Sequence, residues 1–199
     1  MILPILLACR PDPEPVPVEA PDLVEVLSDD ESRAGVVTDE AALFGGISAE
    51  GQAGDIKLYN SRVQFIIQSV RPSGYYVEYG GGIIDADVIR PEGQPGRDVI
   101  DEFHVMAGVG RLMDAESVTV ISDGSDGGPA QVLAEGLGAP MTLLTGTAES
   151  DELVPDLSVW ISTTYTLYPD SPLLLIETTL TWQDIPSVVE LGDVAIIAS

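Results

Sequence analysis

From Asp55 onward the chain alternates apolar and polar residues with a period of about two, the signature of strands with one buried face. IKLY (56–59) and VQFIIQS (63–69) flank Asn60 and Ser61 and predict a hairpin. YYVEY (75–79) and IIDADVI (83–89) predict two more strands, separated by Gly80, Gly81 and Gly82. SVTVIS (117–122) and AQVLAEGL (130–137) flank the turn-rich DGSDGGP. The longest runs come late: LSVWISTTYTLY (157–168) and LLLIETTLTW (173–182), joined by PDSP. In the first, Leu157, Val159, Ile161, Thr163, Tyr165 and Leu167 share a face; in the second, Leu174, Ile176, Thr178, Leu180 and Trp182 do. Long strands with one apolar face belong to stacked antiparallel sheets, so the pattern predicts a mainly β protein, an antiparallel β-sandwich.

Two segments break the alternation. TDEAALFGG (38–46) reads as a short helix with Thr38 as N-cap, Asp39 and Glu40 in its first turn and Gly45 at its end. RDVIDEFHVMAGVGRL (97–112) predicts a short inserted helix near 98–107. Asp98 is its N-cap, Asp101 and Glu102 lie early, and Val99, Phe103 and Met106 fall at near-helical spacing. At the far end, residues 194–198 read as a buried strand, and a domain closing in mid-strand is expected to be truncated at its C-terminus.

The first thirty residues follow different rules. Residues 2–8 are apolar but form only a partial signal peptide, with no basic residue before them. Prolines at 11, 13, 15, 17 and 21 then alternate with acids, which forbids helix and central strand. Residues 9–30 therefore read as an extended tether, about 60 Å long if twenty residues span about 3 Å each. Residues 31–199 form the β-domain.

Composition narrows the function classes. The chain has 199 residues, 45% hydrophobic, with 33 acidic against 8 basic side chains and a net charge of −25. A core of ordinary size is affordable at this length. Binding a phosphate backbone needs clustered Lys and Arg, so no nucleic-acid partner is expected, and a polybasic membrane patch is excluded on the same ground. One cysteine, Cys9, and one histidine, His104, rule out a disulfide framework and the multi-histidine zinc sites.

Asp85 and Asp87 lie two apart in a strand and share a face, where paired carboxylates can hold a metal or exchange protons. The wet face of a sheet is the plainer reading. Asp123 and Asp126 sit in DGSDGG, but an EF-hand started at Asp123 would need a ligand where Gly127 stands and a glutamate where Ala134 stands. The stretch is a glycine-rich strand connection with, at most, a looser cation site. His104 beside Asp101 and Glu102 is expected to be structural. GGGIIDAD fails as a dinucleotide fingerprint because Asp85 stands where the last glycine belongs. Tyr75, Tyr76, Tyr79, Trp160 and Trp182 would suit sugar stacking if exposed and core packing if not. No catalytic residue and no cofactor are expected.

Two resemblances complete the reading. Leu6, Leu7 and Ala8 before Cys9 resemble the lipobox of bacterial lipoproteins. The resemblance implies lipidation of Cys9, membrane attachment through that lipid, and, because Arg10 rather than aspartate follows, residence at the outer membrane. Farther along, GQAGDIKLYNSRVQFIIQ, YGGGIIDADV, GRDVIDEFHVMAGVGR and YTLYPDSPL, in that order, resemble the amino-terminal β-sandwich region of large secreted Gram-negative proteins. In some of these a PHP-type metallohydrolase domain follows. Related supersandwich folds occur in sugar-processing enzymes, which implies a glycan or an envelope protein as partner. The expected function is a lipid-anchored, non-catalytic binding or scaffolding module of the cell envelope. The alternative is the accessory N-terminal part of a secreted metal-dependent hydrolase or carbohydrate-active enzyme.

Overall fold

The computed structural model of the protein describes residues 21–74, 76–107, 110–144, 158–182 and 191–197. Ten strands run through them: β1 (Ser32–Val36), β2 (Ile56–Asn60), β3 (Val63–Ile67), β4 (Ile83–Val88), β5 (Ile100–Ala107), β6 (Arg111–Ser122), β7 (Ala130–Pro140), β8 (Val159–Leu167), β9 (Leu174–Trp182) and β10 (Leu191–Ile197). The first nine pair with their neighbours in chain order and β10 returns to β5, always antiparallel. The protein is mainly β and antiparallel, and its strands form one hydrogen-bonded sheet.

The sheet branches at β5. Phe103 pairs with Ile83 of β4 and also with Ala195 of β10. Ala107 pairs with Arg111 of β6 and also with Leu191 of β10. A strand residue has one partner on each edge, so β4 and β6 share one edge of β5 and β10 takes the other. Each of the β4 and β6 joints is a single residue pair, which lets two wings diverge: β1–β4 and β6–β9.

The wings then close over one another. Ala34, Ile56, Leu58, Val63 and Ile67 of the first wing meet Val132, Ala134, Ile161, Tyr165 and Leu167 of the second in one buried cluster. Polar ties accompany this packing. The Tyr165 hydroxyl donates to the Gly81 carbonyl at 2.7 Å, and the Ala130 N–H donates to Ser32 Oγ at 2.9 Å. Gly81 has φ +86 and lies against Met113 and Ala115, so neither the backbone nor the space there admits a side chain. The alternation predicts stacked sheets; the described strands all belong to one branched sheet.

The Asn60 turn performs as its sequence implies. Asn60 Oδ1 accepts from the N–H groups of Arg62 (2.8 Å) and Val63 (3.0 Å), closing the β2–β3 hairpin. Its Nδ2 donates to the carbonyls of Tyr168 (3.0 Å) and Ser171 (2.7 Å), tying the first wing to the β8–β9 connection. In β8, Val159, Ile161, Thr163, Tyr165 and Leu167 are buried together as period two requires. The strand expected over residues 194–198 falls in β10, which starts earlier, at Leu191, and is described as far as Ile197.

Three local expectations are corrected. The helix near 98–107 is strand β5. Its spacing of Val99, Phe103 and Met106 misleads because the run is covered on both faces: Phe103 joins the inter-wing core and Met106 a separate cluster with Leu112 and Met141. A short run buried on both sides carries no period, and partners on both edges decide for strand. Asp98 caps no helix; its Oδ1 accepts from Ala86 (2.9 Å) and Ile100 (3.2 Å). The helix at 38–46 shrinks to the 3-10 turn Glu40–Ala42, and its N-cap is Asp39, accepting from the Ala41 N–H at 2.9 Å, not Thr38. Residues 76–79 form no strand; the Val77 N–H donates to the Glu102 side chain of β5 instead of to a strand neighbour.

Candidate functional site

β2 sends alternate side chains to opposite faces. Ile56 and Leu58 enter the inter-wing core, while Lys57 and Tyr59 point to the outer face of the first wing. There Tyr59 packs with Ile66, Ile84, Val37 and Ala42 under a covering segment that contributes Leu23 and Leu27, both buried. The register of β4 helps build this face. Ile66 pairs with Asp85 and Ile67 with Ile83, leaving Ile84 as a bulge. Ile83 therefore faces the inter-wing core, while Ile84 packs in the outer cluster.

The covering segment is fastened by its backbone. Lys57 Nζ donates to the Leu23 carbonyl at 3.0 Å. The Tyr59 hydroxyl stands 3.2 Å from the Asp22 carbonyl and 3.1 Å from that of Glu25. Packing thus already begins within the stretch read as tether. Beside this strap opens a half-enclosed cleft of about 450 Å³. Its floor is Lys57, Tyr59 and Gln64; its walls are the strap from Val24 to Leu27, the turn carrying Phe44, and the loop from Ile89 to Gly96. The volume lies in the range that accommodates small ligands.

Lys57 is the feature of this floor that departs most from expectation. It is the chain's sole lysine and is 7% exposed. Its ammonium stands 4.6 Å from the centre of the Tyr59 ring. The ion pairs among the described residues join Arg33 to Glu31, Arg62 to Asp29, Arg71 to Asp55 and Arg90 to Asp87; Lys57 belongs to none. Burial without a carboxylate partner pushes its pKa down to about 8. Burial also raises the Tyr59 phenol to about 12, so it stays protonated and able to donate.

Three buried carboxylates outside the cleft, Asp55, Asp85 and Glu102, clasp loop backbone. Asp85 is fully buried and accepts from the Glu50 N–H at 2.7 Å and the Gly51 N–H at 2.9 Å. Desolvation pushes its pKa up to about 7 against those two donors. Asp55 is also fully buried and receives Arg71 Nε (2.9 Å) and Nη2 (2.7 Å), the Ser69 N–H and hydroxyl, and the Gln52 N–H. Glu102 accepts from the Ser73 hydroxyl (2.5 Å) and the Val77 N–H (2.8 Å), and burial raises its pKa. Together these side chains hold the connections around 50–55 and 69–77 on the first wing.

Cys9 lies outside the described residues, as does Tyr75. Asp85 and Asp87 do share a face of β4, but each serves a different loop. Asp87 receives Arg90 Nε (2.9 Å) and Nη2 (2.6 Å) and the Arg97 N–H (2.7 Å). Burial works to raise its pKa, and these donors outweigh it and hold the carboxyl below its ordinary range. Asp123 accepts from the Ser125 N–H and hydroxyl and Asp126 from the Gly128 N–H, side-chain clasps of a tight turn. Among the described residues no group of three or more His, Cys, Asp or Glu is placed to hold a metal ion.

His104 is 4% exposed, and its ring lies flat in the space where a Gly82 side chain would stand. Desolvation lowers its pKa to about 4, so it is a neutral packing residue. Its Nε2 is buried without a hydrogen-bond partner among the described residues. Of the aromatics, Tyr79 donates to the Pro140 carbonyl at 2.8 Å, Trp160 is half-buried and Tyr76 is exposed. None of these three lines the cleft.

The floor itself was readable in part. Lys57 and Tyr59 at period two in IKLY belong on one face, and a lone lysine between Ile56 and Leu58 is an unusual strand residue. The strap was hidden because LVEVL lies in a stretch dominated by prolines and acids. No family model, no curated protein and no solved structure matches this chain.

Proposed function

We propose that this chain is a lipid-anchored protein of the cell envelope, held at the outer membrane through Cys9, whose β-domain is a non-catalytic module that binds a glycan in the cleft over Lys57 and Tyr59. The observation that carries the binding assignment is the cleft floor. Lys57, Tyr59 and Gln64 project from two hydrogen-bonded strands, so they meet a ligand without reorganising first. The carboxylates that suggested chemistry are occupied in clasping loops, which favours binding over catalysis. The anchor assignment is supported by the Leu-Leu-Ala-Cys order and by the spacer that follows it. Two acyl chains, at about 0.8 kcal/mol per buried CH₂, hold a protein at a bilayer where one chain releases it.

The two halves are tested separately. Cells expressing the full-length gene product are labelled with palmitate. Incorporation that disappears in Cys9→Ser is expected, and an unlabelled wild-type protein overturns the anchor. The full chain is then screened against immobilised glycans together with Gln64→Ala. Binding weakened by the substitution supports the cleft, and a screen with no glycan bound overturns the ligand class.

A further inference from the structure

We propose that the glycan taken by this cleft is an acidic one, and that its carboxylate or sulfate sits on Lys57. The inference rests on the glycan reading of the cleft and adds the chemical class of the ligand. Its basis is a mismatch in the charge arrangement. Four arginines of this strongly acidic protein each face a carboxylate within the chain. The single lysine, more deeply buried than those arginines, faces none among the described residues.

A buried ammonium is stable when its charge is offset, and here the offset is small. Lys57 has three N–H donors; one reaches the Leu23 carbonyl, and the Tyr59 ring supplies a weak cation–π contact. Its lowered pKa reflects the same shortfall. An anionic group entering the cleft would supply the missing countercharge as a charge-assisted hydrogen bond, stronger than the neutral contact to Leu23. Gln64, which pairs with Tyr59 from the adjacent strand, adds a polar group to the same cleft floor.

The net charge of −25 does not forbid this ligand. At physiological ionic strength charges farther than about 8 Å are largely screened, so the contact is decided locally. Locally, Glu25 and Glu92 on the rim are exposed and outside ion-pair reach of Lys57, and Arg90 is bound to Asp87. The remote acids would set the rate of approach, slower at low salt, while Lys57 sets the selectivity.

The experiment measures binding of the full chain to paired oligosaccharides. Oligogalacturonates, oligoglucuronates and oligomannuronates are each used as free acid and methyl ester, and sulfated galactan oligomers with and without sulfate. At least one charged member is expected to bind about 10- to 100-fold more tightly than its neutral counterpart, the usual worth of a hydrogen bond to a charged group. The difference is expected to vanish in Lys57→Met and to be partly kept in Lys57→Arg. The carboxylate and sulfate series show which anion is preferred.

Equal binding of charged and neutral members overturns the proposal while leaving the glycan reading intact. Failure of every member to bind overturns both. Because Lys57 also fastens the strap, a second measurement covers a variant that does not fold. Wild-type protein is treated with cyanate, and the peptide carrying the sole lysine is weighed. Protection of Lys57 by the charged sugar and not by its neutral partner is expected, and equal labelling in both overturns the proposal.

Discussion

Lys57 and Tyr59, two residues apart on β2, fasten the same segment of backbone from below: the ammonium through the Leu23 carbonyl and the phenol through those of Asp22 and Glu25. The covering segment is therefore held by main-chain contacts as well as by the burial of Leu23 and Leu27. Removing the Tyr59 hydroxyl alone tests this. Tyr59→Phe is expected to cost about 1 kcal/mol, the net worth of an ordinary hydrogen bond, read as a lower urea midpoint with unchanged slope. Cleavage at Glu25 by a glutamate-specific protease should accelerate in parallel. A variant with wild-type cleavage kinetics would show that the phenol does not hold the segment.

Asp55 and Arg71 make the ion pair with the most deeply buried carboxylate of the described residues. Removing one partner strands the other, at a typical cost of about 3–5 kcal/mol. Asp55→Ala is expected to lose most of the stability of the domain, because the Ser69 and Gln52 N–H groups lose their acceptor as well. Equilibrium unfolding followed by tryptophan fluorescence measures it, and a loss below about 1 kcal/mol contradicts the clasp.

Asn60 joins two jobs that can be separated. Asn60→Asp keeps the oxygen that caps the hairpin but loses the amide that reaches Tyr168 and Ser171, and sets an anion against two carbonyls. It is expected to be at least as destabilising as Asn60→Ala, by about 2–3 kcal/mol, with the wings loosened. Hydrogen exchange localises the effect: faster exchange in β8 and β9 is expected, and exchange confined to the β2–β3 turn would refute the tie between wings.

Asp85 makes stability depend on pH with a sign opposite to that of a salt-bridged carboxylate. Its folded pKa of about 7 lies above the ordinary 3.8, so between those values the folded state holds more protons than the unfolded one. Stability from this group is complete below pH 3.8 and is lost as pH rises towards 7, at no more than about 1.4 kcal/mol per pH unit. Glu50, Asp98 and Glu102, raised chiefly by burial, act in the same direction. His104, lowered to about 4 from 6.5, acts oppositely, so the wild-type curve mixes signs. Comparison with Asp85→Asn isolates the term. The wild-type advantage should be largest near pH 4 and shrink by pH 8; an advantage that grows with pH is the contrary result.

The strands were legible where one face is dry and the other wet. β8 and β9 alternate cleanly, and the Asn60 turn announces its hairpin by residue type alone. β5 was not legible, because its two faces are both covered and Glu102 serves contacts far away in the chain, with Ser73 and Val77. The face shared by Asp85 and Asp87 followed from period two. Their occupation by Glu50, Gly51, Arg90 and Arg97 did not, since a carboxylate in a strand looks the same whether it meets solvent, a metal or a loop amide.

By itself, then, the sequence determined the antiparallel β class, the position of its clearest turns, and the acidic surface, because these depend on local period, local turn chemistry and composition. The tertiary structure decided what alternation leaves open. It joined the strands into one sheet branching at β5, folded residues 22–27 over β2, and left Lys57 outside the ion pairs of the described residues. Such outcomes depend on which distant groups meet when two wings close, and no spacing along the chain carries that information.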